Sequence, residues 1–253
     1  MQLIVKILCG LIAWTMLPLT SNAAVLPLRI ATFNYPPYIY SNLSRPPTGV
    51  AVEIVETALG RMKTPIIYKY APFQRSLAYM EHGQADALFT IRKTPERELN
   101  YHFSPLPLLT QDIVVFVRRD SPIHFTGNLH ELSTYSIGVV QHASYGADFD
   151  KMAKSRRFDK LEIATSHEMN FRKLLANRMD IVLCSRKVGL EILKTLSSVE
   201  KVKTIGPPIG SYKSYIIFNK KTVSLKLVSD FNKNIMEMEG DGTLTHIKRK
   251  YDM

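Results

Sequence analysis

The sequence predicts an α/β protein of two similar lobes, each a mixed, mainly parallel sheet flanked by helices. Two observations predict this class. A helix, a Gly or Asn cap, two further residues, an aspartate and an apolar strand occur twice in this order, once at Asp86 and once at Asp180. The length of 253 residues, 45% of them apolar, suits one large domain or two small ones. Because strand–helix–strand units build parallel sheets covered by helices, the repeat favours two lobes.

The first 23 residues are predicted to form a secretory signal peptide. Lys6 precedes the apolar run 7–17, which is followed by Pro18 and by small residues that place a cleavage site after Ala23. The run is too short for a membrane-spanning helix. Cys9 lies inside the run and is not followed by a lipid-attachment box, which disfavours a membrane-anchored form. We therefore expect residues 1–23 to be removed on export.

Export leaves Cys184 as the single cysteine, so no internal disulfide is expected. Cys184 ends an apolar run, which predicts a buried side chain rather than a reactive thiol. The seven histidines lack metal-ligand spacing, so we expect neither a metal nor a cofactor. The net charge of +11 is compatible with an anionic partner. Its lysines and arginines lie mostly on helix faces and tails, however, and we expect no nucleic-acid partner.

The elements of the first half follow from apolar periodicity and from helix-breaking residues. Alternation predicts a first strand that ends at a loop rich in tyrosine and proline, and helical spacing of apolar residues predicts the helix after it. A proline opens the next short helix and Gly83 caps it. The predicted order is strand 28–32, helix 51–62, strand 66–70, helix 72–83 and strand 86–90.

The second half repeats this order with strand 135–140, a helix capped by Ser166 and strand 180–183. Residues 206–210 are predicted to be a loop, and 225–238 and 243–251 to be helices. We expect the chain to cross between the lobes along strands 113–117 and 215–218. These hinge strands place residues 24–117 and 215–253 in lobe 1 and residues 118–214 in lobe 2. Such a hinged pair of lobes closes around a ligand.

The order of these motifs resembles the family 3 extracellular solute-binding proteins, the polar-amino-acid type that supplies ABC importers. The resemblance covers nearly all of the chain after residue 23, and the series is specific although no single motif is. It is carried by residues 35–38, 83–87, 94–97, 103–104, 137–141, 177–180 and 242–247. It implies the type II periplasmic binding protein fold, a periplasmic location, a monomer and a membrane permease or a membrane sensor as partner.

The resemblance also implies the residues of a ligand cleft. Arg97 follows an N-cap threonine and a proline, and in the family an arginine here grips the ligand's carboxylate through a bidentate fork. Thr90 ends its strand, where open α/β sheets bind ligands, and either donates to the ligand or packs. Arg92 stands where a small hydroxyl residue is usual and either brings a second cation into the cleft or points to solvent. Arg75 is either an anion contact or a solvated residue.

Aromatic and polar residues complete the predicted cleft. Tyr35 and Tyr38 flank two prolines and either stack on the ligand or pack on the lobe surface. Ser144, before a helix, is expected to help cradle a carboxylate with backbone N–H groups. His142 replaces a usual glycine, so it either narrows the cleft or makes binding dependent on pH. Ser185 occupies the position at which amino-acid-binding members carry an acidic residue that pairs with the ligand's ammonium group.

That substitution, together with three candidate arginines, favours an anionic or zwitterionic solute. An ammonium buried without an anion costs several kcal/mol. The leading hypothesis is a binding module for an ABC importer, and the alternative is a module that signals to a membrane sensor. A small-molecule dehydratase on the same fold is a third possibility. Because no acid/base pair is placed at the cleft positions, we expect no catalytic residues.

Overall fold

The structure, a computed structural model, describes residues 26–253. The predicted signal peptide lies outside the described residues. The strands are β1 Leu28–Thr32, β2 Ile66–Tyr70, β3 Ala87–Ile91, β4 Tyr101–Phe103, β5 Leu109–Arg118, β6 Ser136–Val140, β7 Lys160–Ala164, β8 Ile181–Ser185 and β9 Val202–Asn219. The helices are α1 Val50–Arg61, α2 Phe73–Glu81, α3 Pro95–Asn100, α4 Ala147–Lys154, α5 His167–Leu175, α6 Arg186–Thr195, α7 Leu225–Gly240 and α8 Thr243–Lys250.

The sheet contains two groups of parallel strands, which form the two lobes. Its order is β2-β1-β3-β9-β5-β8-β6-β7, with β4 also paired to β9. Strands β1, β2 and β3 are parallel, as are β6, β7 and β8, whereas β9 and β5 run antiparallel between the groups. Each group thus has its first strand in the centre. The predicted α/β class with a repeated lobe is confirmed.

The repeated aspartates hold equivalent positions in the two lobes. Asp86 accepts the backbone N–H of Arg29 at 2.9 Å, and Asp180 accepts the backbone N–H of Ser136 at 2.9 Å. Both bonds join the start of the third strand of a lobe to the start of its first strand. Asp86 also pairs with the Arg29 guanidinium at 2.7 Å. The repeat seen in the sequence is therefore a structural device that sets strand register.

Strands β5 and β9 lie between the two groups, and their pairing indicates where the chain passes from one lobe to the other. β5 pairs along its length with β9 and with β8. β9 joins both groups, since its first part pairs with β5 and its last residues pair with β3 and β4. Because β5 pairs with β8 of the second group, the pairing favours a chain that first passes from lobe 1 to lobe 2 before Leu109 rather than after residue 117. The lobe limits at residues 117 and 215 remain a prediction.

The predicted loop 206–210 is wrong, because these residues lie within β9. The register with β5 shifts there, from Val115 opposite Ile205 to Ile113 opposite Gly210, so the intervening residues bulge. Two prolines, which have no N–H to donate, fit such a bulge. Gly206 has φ 60°, and a Cβ there would lie 2.2 Å from the Phe125 carbonyl oxygen. Signals typical of a loop therefore mark an irregular strand.

The third strand of each group, next to β9 or β5, is fully buried. All residues of β3 and β8 are buried, including Cys184, whose predicted burial is confirmed. Helices α7 and α8 pack against α1, so the C-terminal helices return to the first lobe as predicted. Glu53 of α1 anchors this return by accepting from Lys250 and Tyr251. Within residues 26–253, no helix combines the length and apolar character that crossing a membrane requires.

Candidate functional site

A cavity of about 290 Å³ lies between the two groups of strands. Its walls are built at the carboxyl ends of all six parallel strands, where open α/β sheets bind ligands. The first lobe contributes Phe33, Asn34, Tyr35, Tyr70, Pro72, Phe73, Thr90, Ile91, Arg92 and Arg97. The rest of the lining is Gln111, Ile113, Val140, Ala143, Ser144, Tyr145, Thr165, Ser166, His167 and Ser185.

Arg97 lines the cavity and bridges its two sides. Its backbone N–H is capped by the Thr94 hydroxyl at 3.3 Å, which fixes the start of α3 as predicted. Its guanidinium donates to the Arg92 carbonyl at 3.1 Å and to the His142 carbonyl at 2.9 Å, across the cleft. Burial, reinforced by the charge of Arg92, lowers its pKa from the usual value. Among residues 26–253, the Arg97 guanidinium is therefore held by neutral carbonyl oxygens rather than by a carboxylate.

Arg92 lies in the cavity rather than pointing to solvent. Its guanidinium donates to the Ser144 carbonyl at 2.7 Å. It also lies over the Tyr212 ring, 4.5 Å from the centroid, in the geometry of a cation–π contact. Since Ser144 and Tyr212 both fall within the range predicted for lobe 2, residues 118–214, Arg92 is a second cation that contacts both sides of the cavity.

The backbone is left-handed at one predicted residue on each side of the cleft. Thr90 has φ 63° and His142 has φ 60°. For a β-branched threonine this region costs about 1–3 kcal/mol and is found mostly at functional sites. The register of β3 with β9 shifts at this point, and the Thr90 hydroxyl donates to the Phe89 carbonyl at 2.6 Å. The distortion turns the end of β3, and with it Arg92, toward the cavity.

Ser144 lines the cavity, and its hydroxyl is engaged with an acid of α4. It donates to Asp150 Oδ2 at 2.5 Å, and Asp150 Oδ1 accepts the Tyr145 N–H at 2.9 Å. Asp150 does not line the cavity, because both of its oxygens face the loop before α4. The acid therefore orders this loop, and within the described part of the chain the two cavity arginines donate to carbonyl oxygens rather than to a carboxylate.

A row of rings forms one wall of the cavity. Phe33 lies 4.9 Å from Phe73 and 5.7 Å from Tyr35, and Tyr35 lies 5.9 Å from the His167 ring, measured between centroids. We call Phe33, Tyr35, Phe73 and His167 the aromatic wall. The Tyr35 hydroxyl donates to Gln111 Oε1 at 3.0 Å, and burial raises the pKa of Tyr35 well above its usual value. The Tyr35 hydroxyl is therefore held by a hydrogen bond and is uncharged at neutral pH.

His167 is the titratable group at the end of the aromatic wall. Burial, and secondarily the positive charge of Arg92, lowers its pKa to about 4. Its Nδ1 is buried and has no hydrogen-bond partner within residues 26–253. At neutral pH the imidazole is neutral, so it offers hydrogen bonding and ring surface to the cavity but no charge.

Three of the predicted site residues lie outside the cavity lining. Arg75 is exposed, His142 contributes its carbonyl to Arg97 while its side chain is exposed, and Tyr38 is 2% exposed behind the wall. Ser185, which lines the cavity, approaches the Tyr38 hydroxyl at 3.4 Å. Tyr38 thus supports Ser185 from behind. The cavity brings together the other six: Arg97, Thr90, Ser144, Arg92, Tyr35 and Ser185.

Several residues of the lining were not predicted from the sequence, among them Gln111, His167, Phe33 and Phe73. Phe33 and Phe73 follow the ends of two predicted strands and could have been found by the rule that ligands bind at those ends. His167 directly follows the predicted cap Ser166. Gln111 lies before the predicted strand 113–117 and carried no signal, because its partner Tyr35 is distant in sequence.

Comparison with known proteins agrees with this architecture. Residues 28–252 match the bacterial extracellular solute-binding proteins, family 3. The chain is 21% identical over 205 residues to the probable amino-acid-binding protein YxeM of Bacillus subtilis (strain 168), an alignment that covers 81% of this chain and 75% of that protein.

Two solved structures share the fold. A histidine kinase sensor domain with similarity to periplasmic binding proteins has a TM-score of 0.78 and 18% identity, covering 88% of this chain and 95% of that chain. An ancestral arginine-binding protein bound to arginine has a TM-score of 0.76 and 21% identity, covering 88% and 97%. These relatives are described as binding or sensor proteins rather than enzymes. The chain belongs to family 3 of the bacterial extracellular solute-binding proteins.

Proposed function

We propose that this protein captures a small carboxylate-bearing solute in the cavity between its lobes, in the periplasm, and delivers it to the permease of an ABC importer. One observation carries the proposal: the residues that line the cavity include two arginines and, within the part of the chain described, no aspartate or glutamate. A carboxylate would meet the bidentate geometry that guanidinium groups favour.

The two arginines also couple the solute to closure. Each guanidinium bonds a carbonyl of the opposite lobe, so a solute bound between them would contact both lobes at once. A ligand shifts the balance between open and closed forms only as far as it binds the closed form better. A carboxylate held by both arginines has this differential affinity, and closure would present the loaded form to the partner.

A second candidate function is sensing. It is supported by the similarity of fold to a histidine kinase sensor domain. Deletion of the gene distinguishes the two: uptake of the labelled solute is lost if the protein serves an importer, whereas a transcriptional response to the solute is lost with uptake intact if it serves a sensor.

A thermal-shift screen of the purified protein against carboxylates, amino acids, amines and sugars tests the proposal. We expect the stabilising compounds to carry a carboxylate. Stabilisation only by amines or sugars, or by none of these classes, would overturn it. A sequence neighbour described as amino-acid-binding makes zwitterions a necessary part of the screen.

A further inference from the structure

The cavity also constrains the rest of the solute, and this inference rests on the proposed function. We infer that the solute is an aromatic carboxylate without an ammonium group. Two independent features of the cavity carry the two halves of this statement: the balance of charge among the lining side chains, and the aromatic wall.

The charge balance argues against an ammonium. The charged side chains of the lining are Arg92 and Arg97, and its other polar side chains, such as those of Ser185 and Gln111, are neutral. Asp150, whose charge acts on Arg97, lies outside the lining and has both oxygens bonded to the loop before α4. A buried ammonium would therefore lie near two cations without an anion. Desolvated charges without a partner are strongly disfavoured.

The aromatic wall argues for a ring. Phe33, Tyr35, Phe73 and His167 form a continuous row whose neighbouring centroids lie 4.9–5.9 Å apart, and all four line the cavity. Ring pairs favour offset or edge-to-face contacts at such distances, beyond the gain from burial alone. The wall faces the same space as the guanidinium groups, so a short molecule with a carboxylate at one end and a ring at the other can contact both.

Four compounds separate the two halves of the inference by isothermal titration calorimetry on the purified protein. They are 3-phenylpropanoate, L-phenylalanine, 4-methylpentanoate and L-leucine. L-Phenylalanine and L-leucine differ from 3-phenylpropanoate and 4-methylpentanoate, respectively, only by the α-ammonium group. The two phenyl compounds differ from the two branched compounds only in carrying a phenyl group in place of an isopropyl group. We expect 3-phenylpropanoate to bind about 100-fold more tightly than L-phenylalanine. We expect it to bind at least about 5-fold more tightly than 4-methylpentanoate.

Variants test the structural origin of each preference. Ser185→Asp puts a carboxylate in the cavity and is expected to reduce the preference for 3-phenylpropanoate over L-phenylalanine at least 10-fold, whereas the neutral Ser185→Asn should preserve it. Phe73→Leu should reduce the preference for the ring, and Phe103→Leu, an aromatic residue outside the cavity lining, should not. If Ser185→Asp fails to fold, the four affinities of the unmodified protein still decide.

The outcomes separate this inference from the proposed function. Equal affinities for 3-phenylpropanoate and L-phenylalanine would refute the claim that the solute lacks an ammonium group. Equal affinities for 3-phenylpropanoate and 4-methylpentanoate would refute the claim that it carries an aromatic ring. If none of the four binds while another carboxylate from the screen does, the inference fails and the proposed function stands. If no carboxylate binds, both fail.

Discussion

Replacing Arg97 by alanine should remove most of the affinity for the solute while leaving the fold intact. Without solute, the guanidinium makes two hydrogen bonds to carbonyl oxygens at a half-buried position, so its loss should cost about 1 kcal/mol of stability. With solute, the change removes one partner of a buried ion pair, a loss of about 3–5 kcal/mol. A loss of 3 kcal/mol weakens binding roughly 150-fold.

These magnitudes predict the thermal shift. A carboxylate at 100 times its dissociation constant stabilises the unmodified protein by about 2.7 kcal/mol, which raises the Tm of a protein of this size by roughly 5–11 °C. After a 150-fold loss of affinity the same concentration gives about 0.3 kcal/mol, or about 1 °C. Arg75→Ala, on an exposed residue outside the cavity, is the matched control and should keep the full shift. An undiminished shift in Arg97→Ala would refute the reasoning.

Three further predictions concern stability. Burial lowers the pKa of His167 to about 4, so between about pH 6.5 and 4 the unfolded chain binds a proton at this histidine that the folded protein does not. The free energy of unfolding should therefore decrease by up to about 3 kcal/mol as the pH falls through this range. In urea unfolding His167→Gln should lack that part of the fall, and an unchanged pH profile would contradict the assignment. Asp86→Ala and Asp180→Ala should each cost about 2–3 kcal/mol by leaving strand N–H groups unpaired, and a loss below about 0.5 kcal/mol at either position would argue against the shared role. Gly49→Ala should destabilise by about 2 kcal/mol or more, since φ is 118° and a Cβ would lie 2.5 Å from the Tyr38 carbonyl oxygen; a neutral effect on Tm would count against that close approach.

Most of the fold could be predicted from local signals. The strands of β1, β2 and β3 and the helices capped by Ser166 and Gly83 follow from periodicity and breakers that act within a few residues. The bulge in β9 could not be predicted from local signals, because a glycine followed by two prolines is as typical of a loop as of an irregular strand. Only the pairing with β5, which is distant in sequence, distinguishes the two.

The site was predictable where a residue's role depends on its own element. Arg97 and Thr90 lie at the ends of elements that the sequence marks clearly, and the structure places both in the cavity lining. The position of Tyr38 could not be predicted in this way, since its burial behind Ser185 depends on contacts between residues far apart in the sequence. Asp150 was missed for the same kind of reason, because its bonds to the loop before α4 depend on how that loop folds back on the helix.

The most direct test is a crystal structure of the protein with its best carboxylate from the screen. We expect both carboxylate oxygens to lie within hydrogen-bond distance of the Arg97 guanidinium, in the cavity between the lobes. A solute bound elsewhere, or bound in the cavity with Arg97 still engaged only by the carbonyls of Arg92 and His142, would contradict it.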